Sequence, residues 1–168
     1  MNRHARFLLA LPFLLLACAL QETIPIAGVK LPLLPAIAVH IALTRRLQTT
    51  ILWCAILGIL LDSGSKLPLC CNTTLFVATG TLINRLAAIL PRGKQPLCAL
   101  FTLLLVPAQR IWVALWILDP ATIGGIRGLL VCAGIGAICG WIVPPISTAL
   151  FGPGSQATAR PATKEFAL

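Results

Sequence analysis

Four carboxylates, two histidines and seven cysteines are the side chains of this 168-residue sequence best suited to proton transfer, nucleophilic attack or metal binding. Their spacing offers little of that chemistry. No two carboxylates are placed to share acid–base work, and the sequence has no phosphate-binding Walker loop, no H-E-x-x-H and no G-x-S-x-G. His40 lies alone in an apolar run with no second ligand at metal spacing, which makes it a packing residue. The cysteines (18, 54, 70, 71, 98, 132 and 139) fall inside or beside apolar runs, without a C-x-x-C. They read as small hydrophobes and not as a disulfide framework. Asn72-Thr73-Thr74 has the form of a glycosylation sequon but opens an apolar helix, and we discount it. The expectation is a non-enzymatic protein with no catalytic residue, cofactor or metal.

One acid stands apart. Asp62 closes the apolar run Leu47–Asp62, four residues after Gly58, and a Ser63-Gly64-Ser65-Lys66-Leu67-Pro68 turn leads into the next run. A carboxylate at the mouth of a greasy helix is costly unless something holds it. Arg110 lies inside another apolar run, within side-chain reach of the same level. In one arrangement the two charges pair and brace the third helix against the fifth. In the other, Asp62 sits in an interfacial turn while Arg110 extends to lipid headgroups.

The elements that must position these residues follow from composition. The chain is 58% hydrophobic and only 10% charged, with a mean hydropathy of +0.97. Four acids and thirteen bases cannot cover the surface of a soluble domain. The surplus apolar surface must face lipid. The net charge of +9 is scattered along the chain and forms no stripe for nucleic acid. The N-terminal Arg3/Arg6 and Phe7–Leu20 have the form of a signal peptide, but Leu16 is bulky beside Cys18, and an uncleaved first helix is expected.

Six helices are expected: Arg6–Leu20, Leu33–Thr44, Leu47–Asp62, Pro68–Leu90, Pro96–Leu118 and Ile123–Ile146. Ile24–Leu31 is irregular, and Pro144-Pro145 is expected to stop the sixth helix. The fold class is an all-α polytopic membrane bundle occupying residues 1–151, with residues 152–168 a disordered cytoplasmic tail. Arg3, Arg6, Arg45, Arg46, Arg92, Lys94, Arg160 and Lys164 alternate across the spans with Lys30, Lys66 and Arg127. The bias places both termini in the cytoplasm. Helices two and three are shorter than the ~20 residues a span needs, so this region should pack inside the bundle. Trp53, Trp112, Trp116 and Trp141 are expected in interfacial belts. The sixth helix carries Gly124-x-x-x-Gly128 and Gly136-x-x-x-Gly140, a small-residue face that suits close packing within the bundle or, less readily, against a partner.

Several features between Leu9 and Asn84 resemble the rod shape-determining protein MreD family. These are a first helix ending at Gln21, the proline-broken stretch from Ile24-Pro25 to Lys30-x-Pro32, the Arg45-Arg46 turn, and Ile56-Leu57-Gly58-Ile59-Leu60-Leu61-Asp62-Ser63-Gly64. The last is similar to that family's Gly-x-x-x-Asp followed by a small-residue turn. The family usually has a Leu-Gly pair after the Asp, where this chain has Leu69-Cys70. The resemblance implies a scaffold in the bacterial inner membrane that binds an MreC-like protein. It would also act, directly or indirectly, with a SEDS-type polymerase, a penicillin-binding transpeptidase and the MreB filament, in contact with membrane lipid. Gly58, Asp62, Ser63, Gly64, Arg110, Gly136 and Gly140 would be the structural and partner residues. The fold is also similar to the vitamin-binding S-components of energy-coupling-factor transporters, which supplies the alternative of a small-molecule binder. An S-component coupling face would show Ala-x-x-x-Ala in the first helix, and Ala10, Ala17 and Ala19 do not fit that spacing.

Overall fold

The computed structural model describes residues 14–21, 23, 25–26, 29–64, 68, 70–87, 89, 94–117 and 125–151. Among them are six helices: α1 (residues 14–21), α2 (Leu33–Thr44), α3 (Leu47–Ser63), α4 (Cys71–Ala87), α5 (Lys94–Ile117) and α6 (Gly125–Phe151). The N-terminal residues 1–13 and the tail 152–168 lie outside the described residues, as do the expectations made for them.

The stretch between α1 and α2 contains a short antiparallel ladder. Strand β1 (Pro25–Ile26) pairs with β2 (Val29–Lys30), in the register Pro25 to Lys30 and Ile26 to Val29. Gln21, buried at the end of α1, accepts a hydrogen bond from the backbone N–H of Leu34 at 3.1 Å. That bond satisfies one of the orphan donors at the start of α2, where Pro32 offers no side-chain cap.

α2 is the centre of the bundle. Every residue from Leu34 to Thr44 is buried, and α3, α4, α5 and α6 all pack against it. Its 12 residues extend ~18 Å, well short of the ~30 Å of a hydrocarbon layer. α3 lies at the side, with Ile51, Leu52 and Ile59 facing outward. Two helical segments, Gln95–Ile117 and Gly125–Ile146, are long and apolar enough to cross a membrane.

Beside an apolar core, several polar groups are buried while many large apolar side chains face outward. Gln21, Thr44, Thr50, Asp62, Asn72, Asn84 and Thr102 are buried, whereas Leu115 and Leu130 are 65% and 67% exposed. Leu82, Leu104, Ile126, Ile138 and Trp141 add to the outward apolar surface. So much exposed apolar area marks a surface that meets something other than water.

Three expectations are corrected. α6 runs through Pro144 and Pro145 to Phe151. The prolines remove the donors for the carbonyls of Gly140 and Trp141, but their fixed φ is helical, and a helix in a bundle tolerates the loss. The Thr148 hydroxyl donates back to both proline carbonyls, at 2.9 and 3.0 Å. Trp53 is not in an interfacial belt but in the core, packed with Leu57, Ile37 and Phe76. α4 starts at Cys71, not at Pro68, for a reason that lies in the site itself.

Candidate functional site at the α3–α4 hairpin

Asp62 is in the last turn of α3, where the C-terminal end of the helix dipole disfavours an anion. It is 2% exposed. What holds it there is the N-terminus of α4. Oδ1 accepts from the Asn72 backbone N–H and from Asn72 Nδ2, both at 2.9 Å. Oδ2 accepts from the Thr73 N–H at 3.2 Å and from Thr73 Oγ1 at 2.8 Å. A helix start leaves its first N–H groups without intrahelical partners, and a nearby carboxylate both satisfies them and meets the positive end of the dipole. Asp62 is thus the cap of α4, supplied from the neighbouring helix. The cap fixes where α4 begins, because the donors it collects are those of the first turn.

The close approach of the two helices is made by glycine. Gly58 lies one turn before Asp62 on the same face, and a Cβ there would run into Thr73 Cα and come within 2.8 Å of Thr73 N. Both obstacles are backbone. Further along, a Cβ on Gly80 would lie 2.5 Å from Cys54 Sγ. Gly64, the C-cap residue of α3, has φ −86 and no heavy atom nearer than 3.9 Å to its hypothetical Cβ. Its identity is not forced by contact. Ser63 is exposed, and its hydroxyl donates to the Leu60 carbonyl at 2.9 Å. These two residues belong to the turn and not to the carboxylate network.

The hairpin is tied to α5 at the same level. Gln109 Nε2 donates to Asn72 Oδ1 at 2.9 Å, and Trp112 Nε1 donates to the Cys71 carbonyl at 3.0 Å. Trp112, expected in a belt, is instead half-buried and bonded inward, with Trp116 edge-on to it at 6.1 Å between ring centroids. At the opposite end of α4, Asn84 Nδ2 donates to the carbonyls of Ala42 and Arg45, at 2.7 and 2.8 Å. It also lies 3.3 Å from Thr50 Oγ1. One amide thereby fixes the Arg45-Arg46 turn between α2 and α3. Cys70, just before α4, has φ 76, the left-handed region that glycine occupies freely and other residues at a cost.

The structure does not bring Asp62 and Arg110 together as a brace between α3 and α5. α3 packs chiefly on α4 and α2, while α5 packs on α6, α2 and α4. Arg110 is half-buried. Gly136 and Gly140 meet α5. A Cβ on Gly136 would stand 3.1 Å from the Thr102 carbonyl oxygen, and one on Gly140 2.8 Å from Ala99 Cα. Gly128 is half-buried and Gly124 lies outside the described residues. His40 is buried in α2, and no group of three potential metal ligands occurs among the described residues. No disulfide joins any of the seven cysteines.

Sequence reasoning found Gly58 and Asp62 but missed Asn72, Thr73, Gln109 and Asn84. The signal for the first two was present. Asn72 and Thr73 stand four and five residues after Pro68, at the polar start of the next apolar run. Comparison with known protein families, with characterised proteins and with solved structures returned no match.

Proposed function

We propose that this chain is a non-enzymatic integral membrane scaffold of the bacterial cell-wall elongation machinery, acting on cell shape with an MreC-like partner. The observation that carries the reading is the Gly58–Asp62 element. Gly58 admits the Thr73 backbone and Asp62, one turn later, caps α4. That gives a physical purpose to the Gly-x-x-x-Asp by which the sequence resembles MreD. Cys70 adds support, because its φ of 76 suits the glycine that the family carries after the leucine.

In this reading the bundle lies in the inner membrane with six spans and both termini cytoplasmic, the basic turns at Arg45-Arg46 and Arg92/Lys94 on the inner side. The short α2 is shielded from lipid by its neighbours, which is how a segment too short to span survives at that depth. The cap holds α3 and α4 together at the end proposed to face outward, and that end offers the surface for the MreC-like protein. The polymerase, the transpeptidase and the MreB filament are engaged directly or through it.

The alternative, a vitamin-binding subunit, finds less to rest on. The cleft between α1, α2 and α6 measures about 440 Å³ and is lined by aliphatic residues such as Ala17, Leu20, Ile37, Ile135, Ile138 and Ile142. A vitamin site needs a few convergent polar groups to fix its ligand. The test is co-purification of the full chain with an MreC-like protein in mild detergent, together with cell shape after depletion. Retained complex and loss of rod shape are expected. Unchanged morphology with a bound small molecule would overturn the scaffold in favour of the transporter.

A further inference from the structure

We infer that Arg110, at the seam of α5 and α6, holds the phosphate of a membrane phospholipid. The register of the seam gives its position. Gly140 packs on Cys98, Ala99 and Thr102, and Gly136 on Thr102 and Val106. The helices are therefore antiparallel, and one further turn sets Arg110 level with Cys132. Gln109, the preceding residue, turns to α4, so Arg110 occupies the flank of α5 nearer α6. Ile111 and Leu115, on the next outward positions, are exposed.

Depth defines the ligand. Arg110 lies seven residues before Ile117, the end of α5, or ~10 Å along the axis. A long side chain from that depth reaches the level of lipid headgroups. A guanidinium set in an apolar seam needs an anion. Among the described residues it has no hydrogen-bond or ion-pair partner. The one carboxylate among them, Asp62, is committed to α4. Phosphate is the anion available at headgroup depth, and its oxygens match the two parallel N–H groups of the arginine fork. The acyl chains of the same lipid then lie along Ile111 and Leu115.

The experiment is native mass spectrometry of the full chain in detergent, titrated with phosphatidylglycerol and with diacylglycerol of the same acyl chains. The wild type should retain one phosphatidylglycerol in preference to diacylglycerol. Arg110→Gln should lose that preference by about tenfold or more, as expected for a charge-assisted pair, with Arg110→Lys intermediate. Arg85→Gln, an exposed arginine at the far end of α4, should leave it intact. Equal retention of the two lipids by the wild type overturns the proposal, and that arm stands even where Arg110→Gln fails to fold. Unchanged retention in Arg110→Gln overturns it as well. Displacement of the lipid by millimolar inorganic phosphate at equal affinity overturns the lipid as the source of the anion.

Discussion

Asp62, the last acid of α3, receives both the backbone N–H and the side-chain amide of Asn72, each at 2.9 Å, from the first turn of α4. With Thr73 supplying two more donors to the other oxygen, the carboxylate joins two helices that the sequence separates by a turn. Asp62→Ala removes the acceptor from four buried or half-buried donors. An unsatisfied buried group costs ~1–3 kcal/mol and more where charge is involved, so the variant should lose about 3 kcal/mol or more. Asp62→Asn keeps one acceptor oxygen but turns an amide N–H toward existing donors, and should lose nearly as much. Thermal unfolding in detergent reads both, and a loss under ~0.5 kcal/mol would show that the cap does not hold the hairpin.

Two glycines of the same segment should behave oppositely. Gly58→Ala drives a methyl group into the Thr73 backbone, which cannot turn aside as a flexible side chain can. Overpacking of this kind costs ~1–3 kcal/mol, and separating the helices would also lengthen the Asp62 bonds. Gly64→Ala meets nothing nearer than 3.9 Å at a helical φ. It should be neutral or slightly stabilising, by a few tenths of a kcal/mol up to ~1 kcal/mol, since alanine has less freedom to lose on folding. Melting temperatures of the two variants side by side provide the check. Similar shifts would mean that the turn, and not the helix contact, selects glycine.

Cys70 carries a left-handed backbone on a residue with a Cβ. That conformation costs a non-glycine residue ~1–2 kcal/mol. Cys70→Gly should therefore stabilise the fold by up to ~1 kcal/mol after the greater chain freedom of glycine is offset. Cys70→Ala should give no gain, because the strain comes from the Cβ and not from the thiol. A gain in Cys70→Ala equal to that in Cys70→Gly would place the cost in the exposed sulfur instead.

How much of this was legible in the sequence depends on the range of the interaction. The limits of α2 were read correctly because Pro32 and the Arg45-Arg46 turn are local signals. Gly58 and Asp62 stood out because a four-residue spacing places both on one helix face. The partner of Asp62 did not, because Arg110 looked like its natural complement by charge, and depth alone cannot tell which neighbour a helix has. α4, not α5, lies against α3. Trp53 was assigned to a belt from its place near a helix end, but its face points to Ile37 and Leu57 in the core. Pro144-Pro145 was read as a helix stop, but the fixed φ of proline is helical and α6 continues through both to Phe151. The alternation of basic residues led to an expectation of six spans, and two segments, Gln95–Ile117 and Gly125–Ile146, have the length and composition of spans.

The last prediction concerns the route from the carboxylate to α5. Gln109 Nε2 donates to Asn72 Oδ1 at 2.9 Å, while the Nδ2 of the same amide donates to Asp62. Asp62 thus fixes the orientation of the Asn72 amide, and that orientation presents an acceptor to Gln109. A double-mutant cycle of Asn72→Ala and Gln109→Ala, read by unfolding in detergent, should give a coupling energy of ~1 kcal/mol, the usual worth of a side-chain hydrogen bond. In an Asp62→Ala background the amide is free to rotate and the coupling should fall to within ~0.3 kcal/mol of zero. Coupling that persists at full strength would mean that α4 and α5 hold Asn72 without the carboxylate. In that case the Gly58–Asp62 element would fasten only its own hairpin, and would not organise that end of the bundle.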